Sequence, residues 1–178
     1  MTRRKKLWIT TRSERGAVVI SLHGAMTTDS PIQGELEREI RKLLDSGLRR
    51  FILDLEYLDK LDGSGIGEIL RSRELVTDRD GELSVRGAAT IYFDGRMTES
   101  SPDGETLSRE IHSLLDIGVR RLVLDLEHIK FMDSAGPGDL VHLYTQVAER
   151  GGEISIVNLP RKIKDLLQIL SIASLFEP

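Results

Sequence analysis

Cysteine is absent from this 178-residue chain, which excludes a disulfide scaffold, a thiolate nucleophile and cysteine-based zinc or iron–sulfur sites. An excess of positive charge is absent as well: 25 Lys+Arg stand against 29 Asp+Glu, for a formal net charge of -4, so no overall basic field favours nucleic acid. No stretch approaches the roughly 20 apolar residues of a membrane-spanning helix. These absences predict a cytoplasmic protein without a nucleic-acid partner or membrane insertion.

The one basic cluster is Arg3-Arg4-Lys5-Lys6, near the start of the chain. Only three apolar residues follow it, so the segment does not have the pattern of a signal peptide. It could contact nucleic acid or an anionic membrane, but a run this short and isolated is typical of a solvated terminus.

What the sequence does contain is a repeat. Residues 20–70 align with residues 91–141 at a constant shift of 71, without a gap, and 23 of the 51 aligned positions are identical. One shared run is Leu53-Asp54-Leu55-Glu56, which recurs as Leu124-Asp125-Leu126-Glu127. Identity at this level over a fixed period predicts a tandem duplication.

In each half, β-branched residues flank a glycine turn, and this pattern predicts an opening β-hairpin. The first hairpin is predicted at Leu7–Thr11 and Ala17–Leu22, and the second at Glu82–Val85 and Ala88–Phe93.

A helix follows in each half, the first at about Pro31–Ser46. Ser30 and Ser101, each before a proline, are predicted N-caps. Gly47 and Gly118 follow the predicted helices, at the position where a helix commonly ends with a residue in the left-handed conformation.

A continuous apolar strand comes next, at Phe51–Leu53 and again at Leu122–Leu124, typical of a strand covered on both faces. A loop then leads into a second helix, at about Gly65–Val76 and Gly136–Arg150. Alternating strands and helices predict an α/β fold, with a mixed, mostly parallel sheet, an N-terminal hairpin and helices packed on the sheet.

The two halves differ at their ends. Only the second continues into a strand at Ile154–Val157 and a helix near Arg161–Leu170, so residues 81–178 are predicted to form a complete domain. Residues 1–80 are predicted to form a truncated copy that lacks this last strand and helix. The apolar surface left by the missing elements predicts tight packing between the repeats or a homodimer.

The segment Phe131-Met132-Asp133-Ser134-Ala135-Gly136, after an apolar strand and before a helix, resembles the STAS family of anti-sigma factor antagonists and their relatives. Supporting features are the segments Ile91–Met97 and Glu153–Val157. The resemblance covers residues 81–178, and residues 1–80 match as a truncated copy. It implies a STAS-like fold and a regulatory protein–protein interaction module, without a cofactor or enzymatic activity.

The resemblance also implies a partner: an anti-sigma factor that is a serine kinase. Its expected target is Ser134, with Asp133, Ala135 and Gly136 in the partner-binding loop. A helix N-terminus favours an anion, and a phosphate there would repel a surface built for a neutral hydroxyl. The alternative is that Ser134 or Asp133 only caps the helix.

The first copy departs from this pattern. Its loop reads Asp62-Gly63-Ser64-Gly65, so glycine occupies the phospho-acceptor position and Ser64 comes one residue late. The role of Ser134 is therefore not transferred to Ser64. Asp62, Ser64 and Gly65 are predicted to belong to a non-switching half that is structural or binds a partner.

Two other functions compete. One is a scaffold or adaptor of the same fold, in a stressosome-like assembly or with a transporter ATPase, without phosphorylation. The other is an enzyme that uses the recurring carboxylates Asp54, Glu56, Asp125 and Glu127 for acid–base or Mg²⁺ chemistry. These carboxylates more simply cap loops or pair with Arg49, Arg50, Arg120 and Arg121. No dinucleotide or Walker loop is present, and the four histidines have no metal-ligand spacing, so no metal site is predicted.

Overall fold

The computed structural model describes residues 6–30, 33–172 and 174, and shows a mixed α/β fold with mostly parallel strand pairing. The chain divides into two compact units. The first comprises residues 1–89 and 117–119, and the second residues 90–116 and 120–178. The prediction of separate domains at 1–80 and 81–178 remains a prediction.

The first unit begins with β1 (Trp8–Glu14) and β2 (Ala17–Met26), which form the predicted antiparallel hairpin. The turn between them has two residues, Arg15 and Gly16, with φ values of 50° and 80°. Because both turn residues are left-handed, the turn matches the twist of the strands. β2 then pairs in parallel with β3 (Arg50–Leu61), which is longer than the predicted apolar run.

Two helices complete the framework of this unit: α1 (Glu35–Asp45) and α2 (Gly63–Thr77). Leu36, Ile40 and Leu44 form the buried stripe of α1, at the spacing that places them on one helix face. The end of α1 was predicted correctly. Gly47 has φ 87°, and the N–H groups of Gly47 and Leu48 close the last turn by donating to Leu44 and Leu43.

The start of α1 was predicted wrongly. Its N-cap is Gly34, four residues after Ser30, whereas Pro31 and Ile32 lie outside the described residues. The Ser30 hydroxyl is engaged elsewhere: it donates to the Ala25 carbonyl at 2.8 Å and accepts from the Thr27 N–H at 3.1 Å. Ser30 therefore closes the turn after β2 instead of capping the helix.

The predicted hairpin at residues 82–93 is also wrong. β4 (Glu82–Arg86) pairs in parallel with β3, from Arg50↔Glu82 to Asp54↔Arg86. The first unit therefore has a last strand, whereas the first copy was predicted to lack one. A charged contact favours this pairing, since Arg86 Nε donates to the nearly buried Asp54 carboxylate at 2.9 Å.

The second unit contains most of β5 (Ala88–Tyr92), followed by β6 (Arg96–Met97) and α3 (Asp103–Asp116). Next come β7 (Arg121–Asp125), β8 (Phe131–Met132) and α4 (Gly136–Glu149). The last elements are β9 (Glu153–Val157) and α5 (Arg161–Ile169). α4, β9 and α5 confirm the predictions.

The strands of the second unit pair mainly in parallel. β7 lies between β5 and β9 and pairs in parallel with β9, from Arg121↔Glu153 to Asp125↔Val157, while β6 and β8 form a separate parallel pair. The Ser101 hydroxyl accepts from the N–H of Asp103, the first residue of α3, at 3.3 Å, as expected of a residue that caps this helix. The parallel β6–β8 pair delivers the chain into the loop before α4.

Candidate functional site

Ser134 lies in the short loop between β8 and α4, with its side chain exposed to solvent. Its hydroxyl makes no hydrogen bond among the described residues. α4 begins at Gly136, and its N-cap residue, Ala135, supplies no side-chain bond. Ser134 is therefore one residue before the N-cap, with a hydroxyl that is free to react or to bind.

Asp133 holds this loop in place through both carboxylate oxygens. Oδ1 accepts from the Ala135 N–H at 2.8 Å, and Oδ2 accepts from the Glu99 N–H at 3.3 Å. Its own N–H donates to the Met97 carbonyl at 3.1 Å. Asp133 thus joins the loop before α4 to the loop after β6, and it accepts the N–H of Ala135, the N-cap residue, while no side chain in the described part of the chain caps α4 itself.

Acidic residues lie in the segments next to Ser134. Asp139, in the first turn of α4, has a pKa raised above its ordinary value, first by partial burial and then by the nearby Asp133 carboxylate, while His142 acts in the opposite direction. Glu99, whose N–H is bound by Asp133, is exposed. Since like charges at short range repel, a further anion on Ser134 would add to an already acidic surface.

An exposed aromatic side chain adjoins the same loop. Phe131, in β8, is 51% exposed, and the Arg96 guanidinium lies 5.6 Å from its ring centroid. This is a cation–π distance, and the pair places one apolar and one cationic group at the strand that leads into the Ser134 loop. Neither residue was among the site residues predicted from the sequence. Phe131 stood within the recognised motif, but a two-residue strand gives no signal of which side chain is exposed.

Gly136 and Gly65 are packing residues at the starts of their helices. A Cβ atom added to Gly65 would lie 2.2 Å from the Met26 carbonyl oxygen, and one added to Gly136 would lie 2.3 Å from Met132 Cγ. Both residues are buried. Any contact they make with a partner would therefore pass through neighbouring atoms, and close packing accounts for both glycines.

The first unit carries a similar but distinct loop. Asp62 is the N-cap of α2: Oδ1 accepts from the N–H groups of Ser64 and Gly65, at 3.0 and 3.2 Å, and Oδ2 accepts from the Thr28 N–H at 2.7 Å. α2 begins at Gly63, directly after the aspartate. Ser64 consequently lies inside the first turn and is half-buried, whereas Ser134 is an exposed loop residue.

The recurring strand-end carboxylates make local contacts. Asp54 accepts from the Glu56 N–H at 3.1 Å, and Asp125 accepts from the Glu127 N–H at 3.0 Å, as predicted for loop-capping groups. Asp54 also pairs with Arg86 and Arg12, whereas Arg49 donates to the Leu44 and Leu48 carbonyls.

Nothing in the described ranges groups three or more metal-binding side chains. The histidines serve other contacts: His23 stacks between Trp8 and Tyr57, and His142 bonds to Gln146. Within the residues searched, no helix has both the length and the apolar character needed to cross a membrane.

This loop and the elements around it can be compared with known proteins. Residues 102–178 match the STAS domain. The matched region begins just before α3 and contains the Asp133–Ser134 loop, α4, β9 and α5. The family resemblance is thus supported for the second part of the chain.

A curated relative agrees with the STAS match. The protein of Bordetella bronchiseptica (strain ATCC BAA-588 / NCTC 13252 / RB50) named "Putative anti-sigma factor antagonist BtrV" is 29% identical over 77 residues. The alignment covers 43% of this chain and 66% of the relative. The relative and the STAS match together support the STAS family, and the activity of the whole relative is carried over only as a proposal.

Proposed function

We propose that this protein is a regulatory protein–protein interaction module that acts as an anti-sigma factor antagonist and is switched by phosphorylation of Ser134. The partner is an anti-sigma factor that is also a serine kinase. The STAS match and the name of the relative support the regulatory role. The proposal places the protein in the cytoplasm, where sigma factors act, and assigns it no catalytic activity or cofactor of its own.

The observation that carries the proposal is the division of roles between two adjacent residues. Asp133 satisfies the backbone N–H groups of Ala135 and Glu99, while the neighbouring Ser134 hydroxyl is exposed and unbonded. A serine needed as a helix cap would have its hydroxyl on a backbone N–H. Because the Asp133 carboxylate holds the loop and the Ser134 hydroxyl bonds to none of the described residues, Ser134 can be modified without losing a structural contact.

The switch follows from charge. Transfer of the γ-phosphate of ATP to Ser134 forms an Oγ–P bond, and ADP leaves while the hydroxyl proton is lost to solvent. The phosphate adds about -1.5 to -2 charges beside Asp133, Asp139 and Glu99. A partner that binds the neutral hydroxyl would have to desolvate the phosphate and would be repelled by its added negative charge. Its affinity would therefore fall with little change of fold.

We also infer that the chain arose by tandem duplication. In addition to the sequence identity, several contacts recur 71 residues apart: Arg79–Asp45 and Arg150–Asp116, at 2.9 and 2.6 Å, and the N–H of Glu82 or Glu153 donating to Arg49 or Arg120, both at 2.7 Å. The first half is then the non-switching copy, because glycine stands at its acceptor position and Ser64 is held inside α2.

A scaffold or adaptor of the same fold is the second candidate function, in a stressosome-like assembly or with a transporter ATPase. The observation that favours it is the first unit, which keeps the aspartate-capped loop without an exposed serine. A scaffold predicts large particles in light scattering after size exclusion and unchanged partner binding when Ser134 is replaced.

The proposal is tested by replacing the chromosomal gene with tagged variants and quantifying co-purified proteins by mass spectrometry. Ser134→Ala should retain an anti-sigma factor kinase, whereas Ser134→Asp should recover at least tenfold less of it, because one added carboxylate mimics part of the phosphate charge. Ser64→Asp is the matched control and should bind like the wild type. Equal recovery with Ser134→Ala and Ser134→Asp would refute the switch.

A further inference from the structure

β1 is an edge strand of the first unit, and its outer backbone groups are open. In the described part of the chain it pairs only with β2, and five of its seven side chains are exposed. Glu14 and Ala17 flank the two-residue turn, so they form a hydrogen-bonded pair, and such pairs alternate along an antiparallel ladder. The N–H and C=O groups of Ile9, Thr11 and Ser13 therefore point away from β2.

This edge has little of the protection that natural proteins give to edge strands. Proteins blunt an exposed edge with charged side chains, proline, bulges or very short strands, and of these β1 has only the charges of Arg12 and Glu14 near its end. β1 has no proline or glycine, pairs with β2 without a register shift, and contains Ile9, Thr10 and Thr11 in succession. β-branched residues favour extended pairing, so the edge is suited to accept another strand.

An aromatic column ends at the same edge. The rings of Trp8, His23 and Tyr57 stack in sequence with centroid separations of 5.0 Å and interplanar angles of 8° and 14°. Trp8 lies on the edge strand and is 50% exposed, and among the described residues the His23 imidazole is the one ring that stacks on it. The other face is available to a flat or cationic group on an added strand.

We propose that the occupant of this edge is β1 of a second copy of the chain, paired antiparallel with Thr10 at the two-fold axis. In that register Lys6 faces Glu14 of the other copy, and Trp8 faces Arg12 of the other copy. Thr10 faces its own equivalent. The outward groups of Ile9 and Thr11 bond to each other across the interface, as the alternation of the ladder requires.

Charge complementarity selects this register. Every charged side chain on the Lys6–Glu14 segment faces an opposite charge or an aromatic ring, and opposed pairs of this kind stabilise a sheet. A shift that centres the two-fold axis on Arg12 would place two arginines opposite each other, and a shift that centres it on Ile9 would place Arg12 opposite Lys6. Like charges directly opposite are destabilising.

Arg12 is able to take part. Its side chain is 53% exposed and holds Glu14 and Asp54 only by long contacts, at 3.4 and 3.9 Å. Stacking on the outer face of Trp8 would continue the column from Tyr57 through His23 and Trp8 to the guanidinium of the other copy. This interface does not include the Ser134 loop, so the proposal of a dimer does not depend on the proposed switch.

The absence of cysteine allows a direct test of the register. Thr10→Cys puts a single thiol opposite its own equivalent, at the Cα separation of about 4.5 Å for a non-hydrogen-bonded pair, which a disulfide spans. Mild oxidation should give a covalent dimer of Thr10→Cys at least tenfold faster than of Thr11→Cys, the matched control. Equal rates for the two variants, or faster cross-linking of Thr11→Cys, would overturn the register.

Sedimentation equilibrium tests the association itself. The wild type should show a concentration-dependent shift from 20.0 kDa towards twice that mass. Thr11→Pro removes an outward N–H but no β1–β2 bond and should abolish the shift, whereas Thr11→Val should keep it. Lys6→Glu, which leaves the fold untouched, should weaken association about tenfold. A wild type that stays monomeric, or association unaffected by both Thr11→Pro and Lys6→Glu, would overturn the proposal.

Discussion

Replacing Gly65 by alanine should destabilise the first unit, although alanine is the better helix former. Gly65 lies in the first turn of α2, where the helix packs against the ends of β2 and β3. A Cβ at this position would lie 2.2 Å from the Met26 carbonyl oxygen and 2.6 Å from Leu61 Cδ1. The first neighbour is backbone, so it cannot move without disturbing β2.

The size of the effect follows from two opposing contributions. Overpacking of this kind costs about 3 kcal/mol at the upper end of its usual range, while replacing glycine by alanine within a helix returns about 1 kcal/mol. Gly65→Ala should therefore lower the free energy of unfolding by about 2 kcal/mol. Gly67→Ala, in the same helix, meets only the flexible end of Arg71 at 3.2 Å and should raise that free energy by up to about 1 kcal/mol.

Urea unfolding measures both variants. Trp8 is the single tryptophan of the chain and lies in the first unit, so its fluorescence reports on that unit, and far-UV circular dichroism reports on the whole chain. Gly67→Ala controls for the general effect of adding a methyl group to α2. Equal stability of Gly65→Ala and Gly67→Ala would refute the argument that α2 packs too closely to admit a side chain at position 65.

Three further predictions concern the charges, the cap and the unexpected strand. Arg86 lowers the pKa of Glu14 below its ordinary value by hydrogen bond and charge, so this pair should stabilise the fold above the pKa of a free glutamate, about 4.3, and lose its effect as the pH falls; Arg86→Met should flatten that part of the pH dependence of urea unfolding. Asp133→Ala removes hydrogen bonds to two backbone N–H groups and should cost about 1–2 kcal/mol of thermal stability, whereas Ser134→Ala should change it by less than about 0.5 kcal/mol; the reverse order in calorimetry would contradict the argument that Asp133 holds the loop. Leu83→Ala, at a position 8% exposed, should cost about 2–3 kcal/mol in the transition followed by Trp8 fluorescence, and a loss seen only outside that transition would contradict the pairing of β4 with β3.

The elements predicted correctly carry their signals locally. The β1–β2 hairpin has a glycine turn between β-branched segments, and α4 has proline near its start and an apolar stripe. The β4 strand was predicted, but its pairing was predicted wrongly because the local signal is ambiguous: Arg86-Gly87 resembles a hairpin turn. The parallel pairing with β3 involves Asp54, 32 residues away from Arg86, and a contact at that separation cannot be read from a window of sequence.

The candidate site was predicted only in part, again because one of its contacts joins residues that are distant in sequence. The spacing of Asp133, Ser134 and Gly136 located the loop, and residue types alone left open which side chain caps the helix. The answer depends on the approach of the Met97–Glu99 segment, which lies more than 30 residues earlier in the chain and bonds to Asp133. Exposure of Phe131 and its contact with Arg96 likewise arise from the pairing of β6 with β8.

The measurement that tests the central claim most directly is the intact mass of the protein isolated from its native cells, with mapping of any phosphopeptide. The account predicts one phosphate, on Ser134, that varies with growth or stress and disappears in Ser134→Ala. Asp133→Asn, which leaves the hydroxyl in place, should still carry it. Absence of phosphate under all conditions, or phosphate on Ser64 instead, would contradict the account.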